Sequence, residues 1–284
     1  MTPDIYATRK AGVLLVVISA VVFSSAGVFT KSVSAEPWVI IFWRGLAASA
    51  FTLVYLALRG ILRSEIVVFG WPALVVTLMG AAGSAAFIPA FKLSTVANVA
   101  MIYAAVPFAA AALSWIFIGE RPGRVVLIAS LAALLGVFVI VWGSLGSGQI
   151  LGDLLALFMT LMLAGIMVVY RKYPDTTAAL PAALSSVVLL PVAILMGTPS
   201  AVIPAELPVL IAFGLVFAVA SVTLSEGARR LPSAETALLS ILEMPLAPIL
   251  AFLILAEAPT VEVMIGGCIV FCSVLWSQIH QARL

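Results

Sequence analysis

Apolar residues in this chain fall into long unbroken runs, not into the two-residue alternation of a strand or the narrow stripe of a water-soluble helix. The runs cover 11–31, 37–58, 68–91, 94–118, 124–143, 151–171, 178–198, 206–228, 233–255 and 260–280. Each is close to the ~20 residues that a helix needs to span the hydrocarbon of a bilayer. The breaks carry their own chemistry. Glu36-Pro37 opens the second run, Gly119-Glu120-Arg121-Pro122 separates the fourth from the fifth, and Leu231-Pro232-Ser233 precedes the ninth. Proline costs little in a first helical turn, because the N–H it lacks would have no partner there. The pattern predicts an all-α integral membrane protein of ten transmembrane helices, with no linker long enough for a soluble domain. Arg9 and Lys10 precede the first run as they would a signal peptide. That run continues to Phe29 without a small-residue cleavage site, so it reads as a retained helix.

Composition supports the same class. Of the 284 residues, 64% are hydrophobic and 9% charged, against roughly 25% charged in a soluble domain. The mean hydropathy is +1.27. Lipid must solvate most of such a surface, and in lipid every backbone group is paired within a helix or a closed barrel. Strands of a barrel would alternate apolar and polar positions, and these runs do not. A net charge of +2 gives no footing for nucleic acid. Cys268 and Cys272 lie four apart on one helical face and read as small hydrophobes.

Basic residues set an orientation. With the N-terminus cytoplasmic, Arg9, Lys10, Arg59, Arg63, Arg121, Arg124, Arg171, Lys172, Arg229, Arg230 and Arg283 fall on the inner side, against Lys31 and Lys92 outside. An even helix number keeps both termini cytoplasmic. The chain also looks duplicated. Gly12-Val13-Leu14-Leu15 opens the first helix as Gly152-Asp153-Leu154-Leu155 opens the sixth. In the fourth, Ser94-Thr95-Val96-Ala97-Asn98 leads to Pro107 and then Gly119-Glu120-Arg121-Pro122; in the ninth, Pro232-Ser233-Ala234-Glu235-Thr236 leads to Pro245 and then Ala256-Glu257-Ala258-Pro259. The expected halves are 1–147 and 148–284. Five helices per half is an odd number, so the halves lie inverted in the membrane, an architecture recurrent in secondary transporters with a midplane site.

Ala97, Pro107, Gly119, Glu120 and Pro122, echoed by Ala234, Pro245, Glu257 and Pro259, carry a resemblance to the drug/metabolite transporter superfamily and to its EamA group. Ala256 departs from it, standing where the first half has Gly119. Within that group the chain looks most like amino-acid exporters of the YddG type, which accept aromatic substrates. The resemblance implies a bacterial inner-membrane exporter whose central cavity opens alternately to each side.

Few ionisable groups lie deep, and those that do are functional candidates. Arg44 stands some seven residues into the second helix, roughly 10 Å from the outer surface at 1.5 Å per residue. It could hold a substrate carboxylate through a bidentate pair, or instead snorkel outward or pair with Glu36. Glu243 lies near the middle of the ninth helix, two residues before Pro245. It could bind an ammonium group or carry a coupling proton, or could merely bond a carbonyl freed by proline. Glu226 reads as an interfacial ion pair with Arg229 and Arg230. Tyr103, Phe87, Phe91 and Trp43 are the aromatic candidates for a cavity wall, and Trp38, Trp142 and Trp276 suit the interfacial belt. Pro89, Pro107, Pro191, Pro245 and Pro248 are candidate kinks or hinges. The Gly80-Ala81-Ala82-Gly83-Ser84 run suggests close helix packing.

Competing classes find less support. The one histidine, His280, ends the last helix and leaves no metalloprotease helix and no serine–histidine relay. No catalytic residue, metal or cofactor is expected. A channel would want rings of carbonyls or charges. An exporter of drugs or organic cations remains the alternative, because an acidic group among aromatics suits such cations. Expected partners are a small-molecule substrate and the lipid bilayer, with a monomer as the working state.

Overall fold

The computed structural model describes residues 5–93, 99, 102–103, 105–142, 150–255 and 261–281. The sequence motif at 94–98, the second-half motif at 256–259 and Arg283 lie outside the described residues. Among the described residues all regular structure is helical. The helices are α1 (Ile5–Phe23), α2 (Ala26–Lys31), α3 (Pro37–Leu58), α4 (Leu62–Val68), α5 (Trp71–Leu93), α6 (Val106–Ile118), α7 (Arg124–Trp142), α8 (Ile150–Lys172), α9 (Ala179–Met196), α10 (Leu207–Ala228), α11 (Ser233–Ser240), α12 (Glu243–Leu255) and α13 (Val261–Gln281). Seven helical stretches are long and apolar enough to cross a membrane, and three shorter apolar helices accompany them.

Three features depart from the simple run pattern. The first run is interrupted at Ser24 and Ser25, whose hydroxyls donate to the Val21 and Val22 carbonyls at 2.6 and 2.7 Å and compete with the helical ladder. The ninth run is broken at Ile241–Leu242, so that Glu243 opens a new helix and does not sit within a continuous one. Lastly, α4 is a short helix in a stretch read as a loop. It sends Glu65 to the start of α9, where the carboxylate accepts the Leu180 N–H at 3.0 Å and satisfies one of that helix's free donors. Burial pushes the Glu65 carboxyl up from its ordinary range, against the pull of that bond.

Packing is mostly between the two parts of the chain. α1 lies on α10 and α11, α3 on α9 and α10, α5 on α8 and α9, α6 on α8 and α11, and α7 on α13. This pattern maps onto itself when α1, α3, α5, α6 and α7 are exchanged with α8, α9, α10, α11 and α13. Small residues permit the approach. A Cβ on Gly214 of α10 would stand 2.4 Å from Ala47 Cβ, 2.7 Å from the Arg44 carbonyl oxygen and 2.9 Å from the Ala48 nitrogen. Backbone cannot yield as a side-chain tip can, so Gly214→Ala is expected to force α3 and α10 apart. The cost should be about 1–3 kcal/mol, read as a lower unfolding temperature in detergent.

The outer surface is as apolar as the interior. Leu58, Leu135, Leu195, Ile116 and Leu253 are among many large exposed hydrophobics, as suits a surface wetted by acyl chains. Cys268 and Cys272, read as small hydrophobes on one helical face, are free and exposed on α13.

Polar contacts gather at the two ends of the bundle. At one end Arg9 pairs with buried Glu235 at 2.6 Å, Arg171 with Glu120 at 2.9 Å, and Glu226 with both Arg229 and Arg230. Glu226 thus forms the ion pair expected of it. At the opposite end Ser34 donates its N–H and its hydroxyl to Glu206, at 2.7 and 2.8 Å. Glu206→Gln removes the charge from these bonds, so hydrogen exchange at the Ser34 amide is expected to be faster in that variant than in wild type at the same pH.

Candidate functional site

A cavity of about 160 Å³ lies where α1, α3, α5, α8, α9, α10 and α12 converge. Phe23, Phe87 and Phe217 and the thioethers of Met79, Met159 and Met162 give it an apolar wall. Ser84, Ser185, Ser221, Ser225 and Tyr103 supply hydroxyls. The charged side chains among its described lining residues are Arg44 and Glu243.

Arg44 is inside α3 and only 2% exposed, so it neither snorkels nor reaches Glu36. Its Nη2 donates to Ser84 Oγ at 2.5 Å. The guanidinium carbon stands 4.3 Å from the Phe217 ring centre and 5.4 Å from that of Phe213. Phe213 and Phe217 are one turn apart on α10, the helix that the Gly214 contact brings against α3. Ring faces stabilise a desolvated cation by about 2 kcal/mol, which does not replace a counter-ion. No carboxylate pairs with Arg44 among the described residues, and its buried Nε has no hydrogen-bond partner. A buried donor without an acceptor costs about 1–3 kcal/mol, so an anionic ligand reaching Nε would recover that cost.

Glu243 is the first residue of α12. The positive end of the helix dipole favours a carboxylate at this first turn, although the Met244 N–H is taken by the Ile241 carbonyl at 2.9 Å and Pro245 has none to offer. The Tyr103 hydroxyl donates to Glu243 Oε2 at 3.5 Å, a long and weak contact. No basic residue pairs with Glu243 among the described residues. A guanidinium and a carboxyl group thus line one cavity, each without an ion partner among the described residues.

The aromatic candidates divide. Phe87 and Tyr103 line the cavity. Phe91 follows Phe87 by one turn of α5. Trp43 does not join them: its indole N–H donates to the Pro199 carbonyl at 2.9 Å and its ring meets Phe42 edge-on. It braces the loop after α9 instead. The prolines divide as well. Pro89 is inside α5 and leaves the Ala85 carbonyl without its ladder donor. Pro107 is in the first turn of α6, just after the turn at Ala105, and Pro245 is in the first turn of α12, so both begin helices where central kinks were expected. Pro248 follows within α12.

Sequence reasoning missed Ser84, Phe213, Phe217 and the three methionines. Ser84 closes the small-residue run assigned to packing. That run does pack, since Gly80 meets Ser185 and Gly83 meets Met162, but it also forms cavity wall. The spacing of Phe213 and Phe217 becomes a signal only once α3 is known to lie against α10. Buried Glu235 and its partner Arg9 were also missed, because each alone reads as interfacial. A second void, about 200 Å³ at the basic end, is bounded by Glu120, Arg121 and Glu235. Its acids are already paired with Arg171 and Arg9.

No curated protein matches the sequence. A protein of known crystal structure superposes with a TM-score of 0.81 at 19% identity, over 97% of this chain and 100% of that one, a likeness of fold. The model of the EamA-like transporter family matches twice, over residues 10–142 and again over 150–278. With two such repeats, the chain belongs to the EamA-like transporter family and is a membrane transporter of the drug/metabolite type.

Proposed function

We propose that the protein is a secondary transporter that exports amino acids, aromatic ones included, across a bacterial inner membrane by alternating access, in the manner of the YddG-type exporters. The observation that carries this reading is that Arg44 and Glu243 line one apolar cavity, each without an ion partner among the described residues. An α-amino acid brings the complementary charges. Its carboxylate would meet the Arg44 guanidinium, its ammonium would meet Glu243, and its side chain would lie against the phenylalanines and methionines. Thioethers adapt to ligands of varied shape, which suits a carrier of several side chains.

The exchange symmetry of the helix contacts supports two inverted five-helix repeats, 1–147 and 148–284. Opposite orientations allow one half to rock against the other about the cavity. The half-helix starts at Pro107 and Pro245, with Pro89 and Pro248, are the points proposed to flex. The clustering of arginine ion pairs at one end supports cytoplasmic N- and C-termini under the positive-inside rule. An exporter of organic cations is the second reading, favoured by Glu243 in a cavity that Phe87 also lines and disfavoured by Arg44.

The readings separate by ligand-induced stabilisation of the purified protein in detergent. Phenylalanine should raise the unfolding temperature, and phenylalaninamide or N-acetylphenylalanine, each lacking one of the two charges, should do so less. Stabilisation by tetraphenylphosphonium and not by phenylalanine would favour the cation reading.

A further inference from the structure

We infer that Gly165 sets the upper size of the transported side chain, by giving Met79 a place to stand clear of the cavity. The inference rests on the central cavity being the substrate site. Gly165 belongs to α8, and a Cβ placed on it would fall 2.1 Å from Met79 Cε and 3.5 Å from its Sδ. The tip of Met79 therefore occupies the space above Gly165 where any other residue would carry its side chain. Met79 itself is part of the cavity wall, as are Met162, Leu163 and Ile166 around Gly165. Adding one methyl at Gly165 removes the seat of Met79 without touching backbone. A thioether chain has three rotatable bonds, so the methyl group moves to where there is room. The room on that side is the cavity.

Neighbouring glycines differ, which makes the inference specific. A Cβ on Gly83 would meet Met162 Cβ at 3.3 Å, the rigid root of that side chain. One on Gly80 would meet Ser185 Cβ at 3.1 Å. Methyl groups there press helix on helix. At Gly165 alone among these the obstacle is the free end of a flexible chain that also lines the site. The hydrogen bonds of the charged handles run elsewhere, from Arg44 to Ser84 and from Tyr103 to Glu243.

The test measures counterflow of labelled phenylalanine and labelled alanine in proteoliposomes for wild type, Gly165→Ala, Met79→Ala and the double variant. Gly165→Ala should lower the phenylalanine-to-alanine rate ratio about tenfold, the scale on which an apolar pocket reads one methylene. Met79→Ala should raise that ratio, and the double variant should return it to within about twofold of the Met79→Ala value. Gly83→Ala, by contrast, should slow both substrates together. Equal slowing of both substrates by Gly165→Ala, or no recovery in the double variant, would overturn the inference. If Gly165→Ala does not fold, an unchanged ratio in Met79→Ala overturns it. Absence of amino-acid counterflow in wild type would instead count against the amino-acid reading. The same ratio would then be taken with tetraphenylphosphonium against tetramethylammonium, with the same two outcomes.

Discussion

Arg44→Ala is expected to reduce amino-acid transport by about 100-fold while changing transport of the matching amides far less. Losing one partner of a desolvated charge pair costs about 2–5 kcal/mol, and the upper part of that range exceeds two decades in rate. The asymmetry between acid and amide is the informative part. An amide has no carboxylate to give to the guanidinium, so removal of Arg44 takes little from it. Arg44→Met serves as a companion variant, because replacing buried charge by an apolar side chain of similar volume is often neutral to folding, whereas alanine leaves a void beside Phe213 and Phe217. Rates in proteoliposomes, with unfolding temperature as the control, check both halves of the expectation. Equal loss for acid and amide would make Arg44 a packing element between α3 and α10.

Glu243→Gln is the second large effect. The side chain keeps its shape and its contact with Tyr103 but loses the charge that would face the ammonium. Transport of amino acids should fall about 10–100-fold, the range for a single charge-assisted contact in a dry site. Any pH dependence that passes through this carboxyl should vanish with it. Tyr103→Phe, by comparison, should have a small effect, because the 3.5 Å contact is weak. Normal rates with an unchanged pH profile in Glu243→Gln would remove Glu243 from the mechanism.

Much of this architecture is written in the sequence through a single signal, the length of the apolar runs. That signal depends on bilayer thickness, so it locates spans without tertiary information. It fails where the backbone breaks inside an apolar stretch. The interruptions at Ser24–Ser25 and at Ile241–Leu242 cost no hydropathy, and only the serine-to-carbonyl bonds or a neighbouring proline hint at them. The break at 241–242 matters most, because it turns Glu243 from a residue inside a helix into the first residue of one.

The site was legible for its charges and less so for its walls. Arg44 and Glu243 stand out because an ionisable group in hydrocarbon is costly wherever it points. Ser84, Phe217 and Met79 do not, because in a sequence of this composition a serine, phenylalanine or methionine is ordinary until the facing helix is known. Trp43 shows the converse. Its depth suited a cavity, but the indole N–H has one donor to place, and the Pro199 carbonyl takes it.

The most direct test of the central claim is counterflow in proteoliposomes loaded with unlabelled phenylalanine, following entry of labelled phenylalanine from outside. A carrier with the proposed site should accumulate label transiently, and excess unlabelled phenylalanine outside should abolish that accumulation. Absence of accumulation with phenylalanine, threonine or any other amino acid, in protein shown to be folded, would contradict the claim that Arg44 and Glu243 form an amino-acid site.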